Sequence, residues 1–255
     1  MLVEARGQIL LVTLNRPDVL NAVNGAMTDQ LSTALTRLET SPELRIGVIT
    51  GSGRAFCAGL DMKAVARGAS IEATRHPTWG FAGIATRKIT KPLIAAVNGD
   101  AVGGGLEIVL ACDLALAAST VRFGLPEVRR GLFAAGGGVH RASQQLPKKI
   151  ASDLLLTGRL FTAEEAACWG MVNSVVSPGD VLPEAIRLAQ LVAANAPLAV
   201  QATKRLIRAA TPGSFTDAPT IALTDIEAAT VFASKDASEG MAAFVEGRPP
   251  VFTGQ

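Results

Sequence analysis

The strongest restriction on the fold is a set of short, almost wholly apolar runs, each released into a glycine-containing turn. RIGVIT (residues 45–50) gives way to GSGRAF, and LIAAVNG (residues 93–99) to an aspartate and more small residues. Neither run alternates apolar with polar, so both read as strands covered on two faces, the pattern of parallel strands joined by helical crossovers. LALAA (residues 114–118) and MVNSVV (residues 171–176) add two more. Residues 2–14 read as two short strands broken at Arg6-Gly7, and residues 25–38 have helical apolar spacing. Strand, loop and helix thus recur over the first 180 residues, which predicts an α/β fold. After Pro178 the pattern changes: residues 180–194, 197–210, 216–233 and 236–245 all read as helices. The expected division is a core over residues 1–178 and a helical section over residues 179–255 that covers the core or docks onto another subunit.

A chain of 255 residues that is 49% apolar can bury a core without covalent staples. Its formal charge is +2 and its basic residues are scattered, which excludes the electrostatic footprint of a nucleic-acid binder. Cys57, Cys112 and Cys168 are far apart and only His76 and His140 accompany them, so neither a disulfide framework nor a structural zinc site is expected. The opening MLVEARGQILLVTLNRP lacks the features of a secretory signal, and no apolar run reaches membrane-spanning length. The expectation is a cytoplasmic protein with no membrane partner.

The chemistry-bearing candidates begin with NGDAVGGGLEIVLACD (residues 98–113), where Glu107 sits between Leu106 and Ile108. An unpaired buried charge costs several kcal/mol or forces the group to hold a proton, so Glu107 is either surface-facing or chemically employed. The glycines at 103–105 place N–H groups at a positive helix end, suited to an anion or to a carbonyl becoming one; they equally suit tight helix packing. FCAGLDM (residues 56–62) also reads two ways. Ala58 and Gly59 let a ligand approach the main chain, or the segment is a helix entry capped by Asp61. FGLPEVRRGL (residues 123–132) supplies Glu127 after Pro126, by itself an ordinary helix start. AAGGGVHR (residues 134–141), a glycine cluster before a helix, reads as close chain packing around Glu127 in preference to a phosphate site.

Residues 64–91, with Arg67, Arg75, His76, Trp79 and Phe81, form either a substrate-selecting loop or a surface excursion packed by its own aromatics. His140 has no paired nucleophile and reads as a surface or packing residue. Phe161, Cys168 and Trp169 are expected in a short core helix. GSGRAF is no dinucleotide fingerprint, since Phe56 stands where glycine is needed, and no P-loop, nucleophile elbow or metalloprotease helix is present.

Taken together, LNRPDVLNAV, FCAGLDMK, KPLIAAVNGDAVGGGLEIVLACD, FGLPEVRRGL and LLTGRLFTAEEAACWGMVNSVV resemble, in order and spacing, the enoyl-CoA hydratase/isomerase, or crotonase, superfamily and its hydratase branch. The resemblance covers nearly the whole chain. It implies a crotonase-like ββα spiral core with a helical C-terminal trimerisation section, in a homotrimer or dimer of trimers. It implies an acyl-CoA thioester as partner and neither a metal nor a redox cofactor. The thioester oxygen would lie between the main-chain N–H groups of Leu60 and Gly104. Ala58, Leu60, Asp61, Met62 and Lys63 would line the coenzyme A channel, with main-chain groups around Ala22 at the adenine and Lys63 a phosphate contact or simply an exposed helix lysine.

The resemblance further assigns catalysis to Glu107 and Glu127. Glu107 would take a proton as water oxygen adds to C3 of a trans-2-enoyl thioester, and Glu127 would deliver one to C2. Isomerases commonly keep only the later carboxylate, and ring-closing naphthoate synthases rely on tyrosine, of which this chain has none. The alternatives are a specialised acyl-CoA dehydratase, a double-bond isomerase and, from another class, a silent acyl-CoA-binding scaffold. Phe133-Ala134-Ala135 stands where many hydratases carry Ile-Pro-Gly, which leaves acyl-chain length and shape open.

Overall fold

The computed structural model describes residues 1–68, 77–210 and 217–255. Arg75, His76 and the expected helix start at 216 lie outside the described residues. A hairpin of β1 (Leu2–Arg6) and β2 (Ile9–Leu14) leads through α1 (Gly25–Thr40) into three turns of one repeating path. In the first, β3 (Ile46–Gly51) is followed by β4 (Ala55–Cys57) and α2 (Met62–Ala66). In the second, β5 (Leu93–Val97) is followed by β6 (Asp100–Val102) and α3 (Gly104–Ala111). In the third, β7 (Leu114–Ala118) is followed by β8 (Arg122–Gly124), a 3-10 turn at Pro126–Arg130, α4 (Gly138–Gln145) and α5 (Lys148–Thr157). Then come β9 (Leu160–Thr162), α6 (Ala163–Cys168), β10 (Ser174–Val176), α7 (Val181–Ala193), α8 (Pro197–Ala209), α9 (Ala218–Phe232) and α10 (Lys235–Glu246).

Each turn contributes one strand to each of two sheets, ordered β1-β2-β3-β5-β7-β10 and β4-β6-β8-β9. Pairing is antiparallel at β1/β2 and β8/β9 and parallel elsewhere, which is the expected ββα spiral. The apolar runs explain the larger sheet: Ile46, Val48, Ile49, Leu93 and Ile94 are wholly buried, each worth about 1.5–3 kcal/mol relative to exposure. Helix α1 starts where Asn24 accepts the Met27 N–H in its side chain, and it buries Met27, Leu31, Leu35 and Leu38 along one face. Helix α7 buries Val181, Ala185, Ala189 and Ala193 at fourfold spacing, and these small side chains let it lie across β2, β3, β5 and β7.

Two details differ from the sequence reading. Phe161 lies on β9 rather than in a helix, stacked on Phe123 at 5.6 Å between ring centroids and close to Trp169 at 5.3 Å. Cys168 is exposed, because α6 turns Ala163 and Ala166 inward and position 168 falls on the opposite side. Among the described residues no helix is long and apolar enough to cross a membrane.

Helix α8 is tied to the sheet by one buried ion. Lys204 Nζ donates to the Lys91 carbonyl at 2.7 Å and to Asp113 Oδ2 at 2.6 Å, and that same oxygen accepts the Leu93 N–H at 2.8 Å. Burial lowers the Lys204 pKa while Asp113 opposes the shift. Removing one member of such a pair strands the other in low dielectric. Asp113→Ala is therefore expected to cost about 3 kcal/mol in urea unfolding, and adding Lys204→Met should restore most of it. Equal losses in the single and double variants would show that the ion pair does not hold α8.

Candidate active site

The smaller sheet brings the candidate residues together. Strand β4 pairs with β6 in parallel and β6 with β8, through Ala55↔Asp100, Cys57↔Ala101, Ala101↔Phe123 and Val102↔Gly124. Residues 58–61, 103–105 and 125–127 therefore leave the carboxyl ends of three adjacent parallel strands, where open α/β sheets bind ligands. The Gly103 N–H donates to the Gly124 carbonyl at 2.8 Å and locks the second exit against the third.

At the first exit, Leu60 forms a parallel bridge with Val23. The Val23 N–H donates to the Gly59 carbonyl at 2.7 Å, and the Asp61 N–H to the Val23 carbonyl at 2.9 Å. In that pairing the N–H of Leu60 itself points away from Val23. At the second exit, Gly104 is the first residue of α3, so its N–H has no acceptor within the helix. Neither N–H has an acceptor among the described residues. Close approach demands the glycines between them. Gly59 has φ +90°, and a Cβ there would sit 2.8 Å from both Gly104 N and the Val102 carbonyl oxygen. A Cβ on Gly105 would overlap the Cys57 carbonyl, and the Phe81 ring fills the space where a Gly104 side chain would begin.

One turn into α3, Glu107 is 5% exposed, and its Oε1 accepts the Gly138 N–H at 2.9 Å. Burial pushes its pKa up to about 7; the Glu127 charge adds to the shift, while the Gly138 and Gly136 N–H groups and Arg141 oppose it. Glu127 is half-buried and its pKa is also raised, chiefly by burial, with Arg130 opposing. Its Oε2 is buried with no partner among the described residues, and its Oε1 lies 3.2 Å from where a Gly103 Cβ would stand. Two carboxyls thus flank the start of α3 and resist carrying full charge together. One can hold a proton while its neighbour accepts one.

The AAGGG segment packs differently from the reading that placed it around Glu127. Helix α4 lies on α3, so Gly136 and Gly138 close over the Glu107 carboxylate, and Ala134 lines a cavity of about 250 Å³ beside Glu127. Phe81, Gly138 and Arg141 had no separate signal as site residues. Arg141 donates to the Gly136 carbonyl at 3.3 Å and fixes the loop that covers Glu107. His140 is exposed, as expected.

The remaining candidates cluster at the first exit. Ala22 is buried; its N–H donates to the Val19 carbonyl at 3.0 Å and its carbonyl accepts from Arg16 Nη1 at 2.5 Å. Asp61 caps α2 by accepting the Ala64 N–H at 3.0 Å, and it pairs with Arg16 at 2.9 Å. Both contacts, the Ala64 N–H first, lower its pKa. The helix-cap reading of FCAGLDM therefore holds for the Asp61 side chain. Ala58 is exposed and donates its N–H to the Leu20 carbonyl, while Met62 and Lys63 are exposed on α2. Asn21, missed in the sequence, is buried in a left-handed conformation and holds the whole loop: Nδ2 donates to the Ser52 and Ala55 carbonyls at 2.9 and 2.8 Å. Within residues 64–91, the Arg87 guanidinium lies 3.8 Å from the Trp79 ring centroid, so part of that loop is packed by its own aromatics.

Comparison with known proteins bears directly on this arrangement. The enoyl-CoA hydratase/isomerase family model matches residues 4–255. Enoyl-CoA hydratase EchA19 of Mycobacterium tuberculosis is 41% identical over 255 residues, covering 98% of this chain and 95% of that protein. Among solved structures, an enoyl-CoA hydratase from Mycobacterium tuberculosis is 44% identical with a TM-score of 0.92, covering 100% of this chain and 98% of that one. A carnitinyl-CoA hydratase from Mycobacterium avium is 46% identical with a TM-score of 0.80 and the same coverage. A family match that runs almost end to end, together with such similarity in sequence and fold, makes this protein a member of the enoyl-CoA hydratase/isomerase family.

Proposed function

We propose that this protein is an enoyl-CoA hydratase, adding water reversibly to a trans-2-enoyl-CoA to give a 3-hydroxyacyl-CoA. The observation that carries the proposal is the buried Glu107 and half-buried Glu127 carboxyls, beside two main-chain N–H groups that have no acceptor among the described residues. The hydratases among its relatives support the same reaction class.

In this reading the thioester oxygen takes the Leu60 and Gly104 N–H groups. Ionised Glu107 removes a proton from a water held between the carboxyls as the water oxygen bonds to C3. The C2=C3 π electrons move toward the thioester, and the resulting enolate oxygen is stabilised by the two donors, each typically worth about 3–4 kcal/mol. Glu127, protonated at the start, gives its proton to C2. Glu107 then passes the proton it took to Glu127 through water, and the original state is restored. Coenzyme A belongs to the substrate, and no metal or redox partner enters these steps. The chain around Ala58, Leu60, Asp61 and Met62 would follow the coenzyme A, the main chain near Ala22 would meet the adenine, and Lys63 would face a phosphate.

Residues 179–255 are read as the assembly section. Helices α8 to α10 and the tail expose Ile207, Ile226, Phe232, Met241, Phe244 and Val251, with Phe232 77% and Phe244 88% exposed. Apolar surface of this kind marks a protein interface, here in a homotrimer or dimer of trimers. Light scattering should return three or six chains of 26.3 kDa; a stable monomer at micromolar concentration would contradict the assignment.

Loss of the conjugated thioester absorbance of crotonyl-CoA measures the reaction. Glu107→Gln and Glu127→Gln should each lower kcat by about 10² to 10⁴. Undiminished turnover in Glu107→Gln would favour isomerase chemistry through Glu127 alone. Because the pair must share one proton, kcat/KM should fall as pH rises through about 7, where the second carboxyl ionises, and should fall again in acid as both become protonated. Stability should move in the same sense on the alkaline side. A carboxyl whose pKa is raised from 4.5 to about 7 on folding favours the folded state fully below pH 4.5, and that contribution is lost as pH rises through 7. Glu107→Gln should therefore be more stable than the parent at pH 8, by up to about 3 kcal/mol, with the difference vanishing near pH 4.5. Equal stability at both pH values would show that Glu107 is not held in an unfavourable site.

A further inference from the structure

We infer that the cavity beside Glu127 receives the acyl tail beyond C3, and that it selects uncharged hydrocarbon chains over acyl groups ending in a quaternary ammonium. This inference rests on the hydratase reading above and names its substrate class. The cavity, about 250 Å³, is walled by Leu125, Val128, Ala134, Val139 and Leu155, with Phe133 also lining it. Of its lining residues, Ser152 and Glu127 alone carry polar side-chain atoms. Phe133 and Leu156 are 67% and 77% exposed, which places them at the outer rim.

Position and chemistry point the same way. If Glu127 protonates C2, the chain beyond C3 must leave the reaction centre along the walls that Glu127 shares, and these are apolar. Each methylene buried there is worth about a fourfold gain in kcat/KM. A trimethylammonium head needs several aromatic faces or a free carboxylate in place of water. Here it would meet one phenyl ring at the rim and a carboxyl already assigned to proton delivery. One of the similar solved structures is a carnitinyl-CoA hydratase, so overall similarity leaves the acyl group undecided while the cavity walls discriminate. Phe133 and Ala134, where the sequence departs from the commonest hydratases, both belong to that wall.

The test compares kcat/KM for crotonyl-CoA, trans-2-hexenoyl-CoA, trans-2-octenoyl-CoA and an enoyl-CoA ending in trimethylammonium, in the parent and in Ser152→Phe. Ser152 lies on α5 and lines the cavity, so phenylalanine there should occupy space the acyl tail would use. The parent is expected to favour the octenoyl over the crotonyl thioester by tenfold or more, and the trimethylammonium thioester should be at least tenfold poorer than hexenoyl. Ser152→Phe should lower kcat/KM on octenoyl at least tenfold more than on crotonyl. A flat or falling chain-length profile, or preference for the charged thioester, would overturn the inference even with crotonyl-CoA hydrated. So would equal losses on short and long chains in a folded Ser152→Phe. Should that variant not fold, the parent's profile decides alone. No turnover of any enoyl thioester by the parent would instead overturn the hydratase reading itself.

Discussion

The packing of one glycine-rich helix start against one strand exit sets everything else in this site. Gly105 lies against the Cys57 carbonyl and Gly59 against the Gly104 nitrogen, distances that no Cβ allows. Because the two backbones meet this closely, a ligand can reach N–H groups on both with no side chain in the way. The same contact fixes the start of α3, and the helical period then directs Glu107 one turn further in. An alanine at either glycine would push apart the two segments on which the proposed oxyanion site depends.

The environment of the carboxyls follows from that placement. Burial makes ionisation of Glu107 costly, and the N–H of Gly138 together with Arg141 limits the cost without removing it. A carboxyl poised near neutrality is a better base and acid at cellular pH than one left at its ordinary value. Glu127 is placed by other means, at the end of the adjacent β8, in a short turn opened by Pro126 and covered by α5. The two groups thus come from successive turns of the spiral, which explains how residues twenty apart in sequence meet in space. Stability is sacrificed at α3 and recovered elsewhere, in the buried sheet and in the Lys204–Asp113 tie that binds α8 to it.

Much of this was legible in the sequence, for identifiable reasons. The long apolar runs announced β3, β5 and β7, and Glu107 stood out because a carboxylate conflicts with the apolar helix around it. Strands β4, β6, β8 and β9 were not legible: each has three residues, too few for a period, and their pairing is wholly non-local. Glu127 looked ordinary because Pro-Glu begins many helices, and only the cover supplied by distant residues makes it unusual. The glycines of the AAGGG segment signal close packing, but which carboxyl they cover depends on how α4 docks on α3, and there Gly136 and Gly138 meet Glu107. Asn21 carried no signal beyond its tolerance of left-handed backbone, yet it anchors the loop beneath the first N–H donor.

The central claim is that two carboxyls act on one water and one thioester, and isotopic labelling of the first-turnover product tests it most directly. With crotonyl-CoA in water carrying both deuterium and oxygen-18, a hydratase of this design places one labelled oxygen at C3 and one deuterium at C2. Deuterium entering the acyl chain without labelled oxygen at C3 would contradict it, because the site would then be moving protons without adding water.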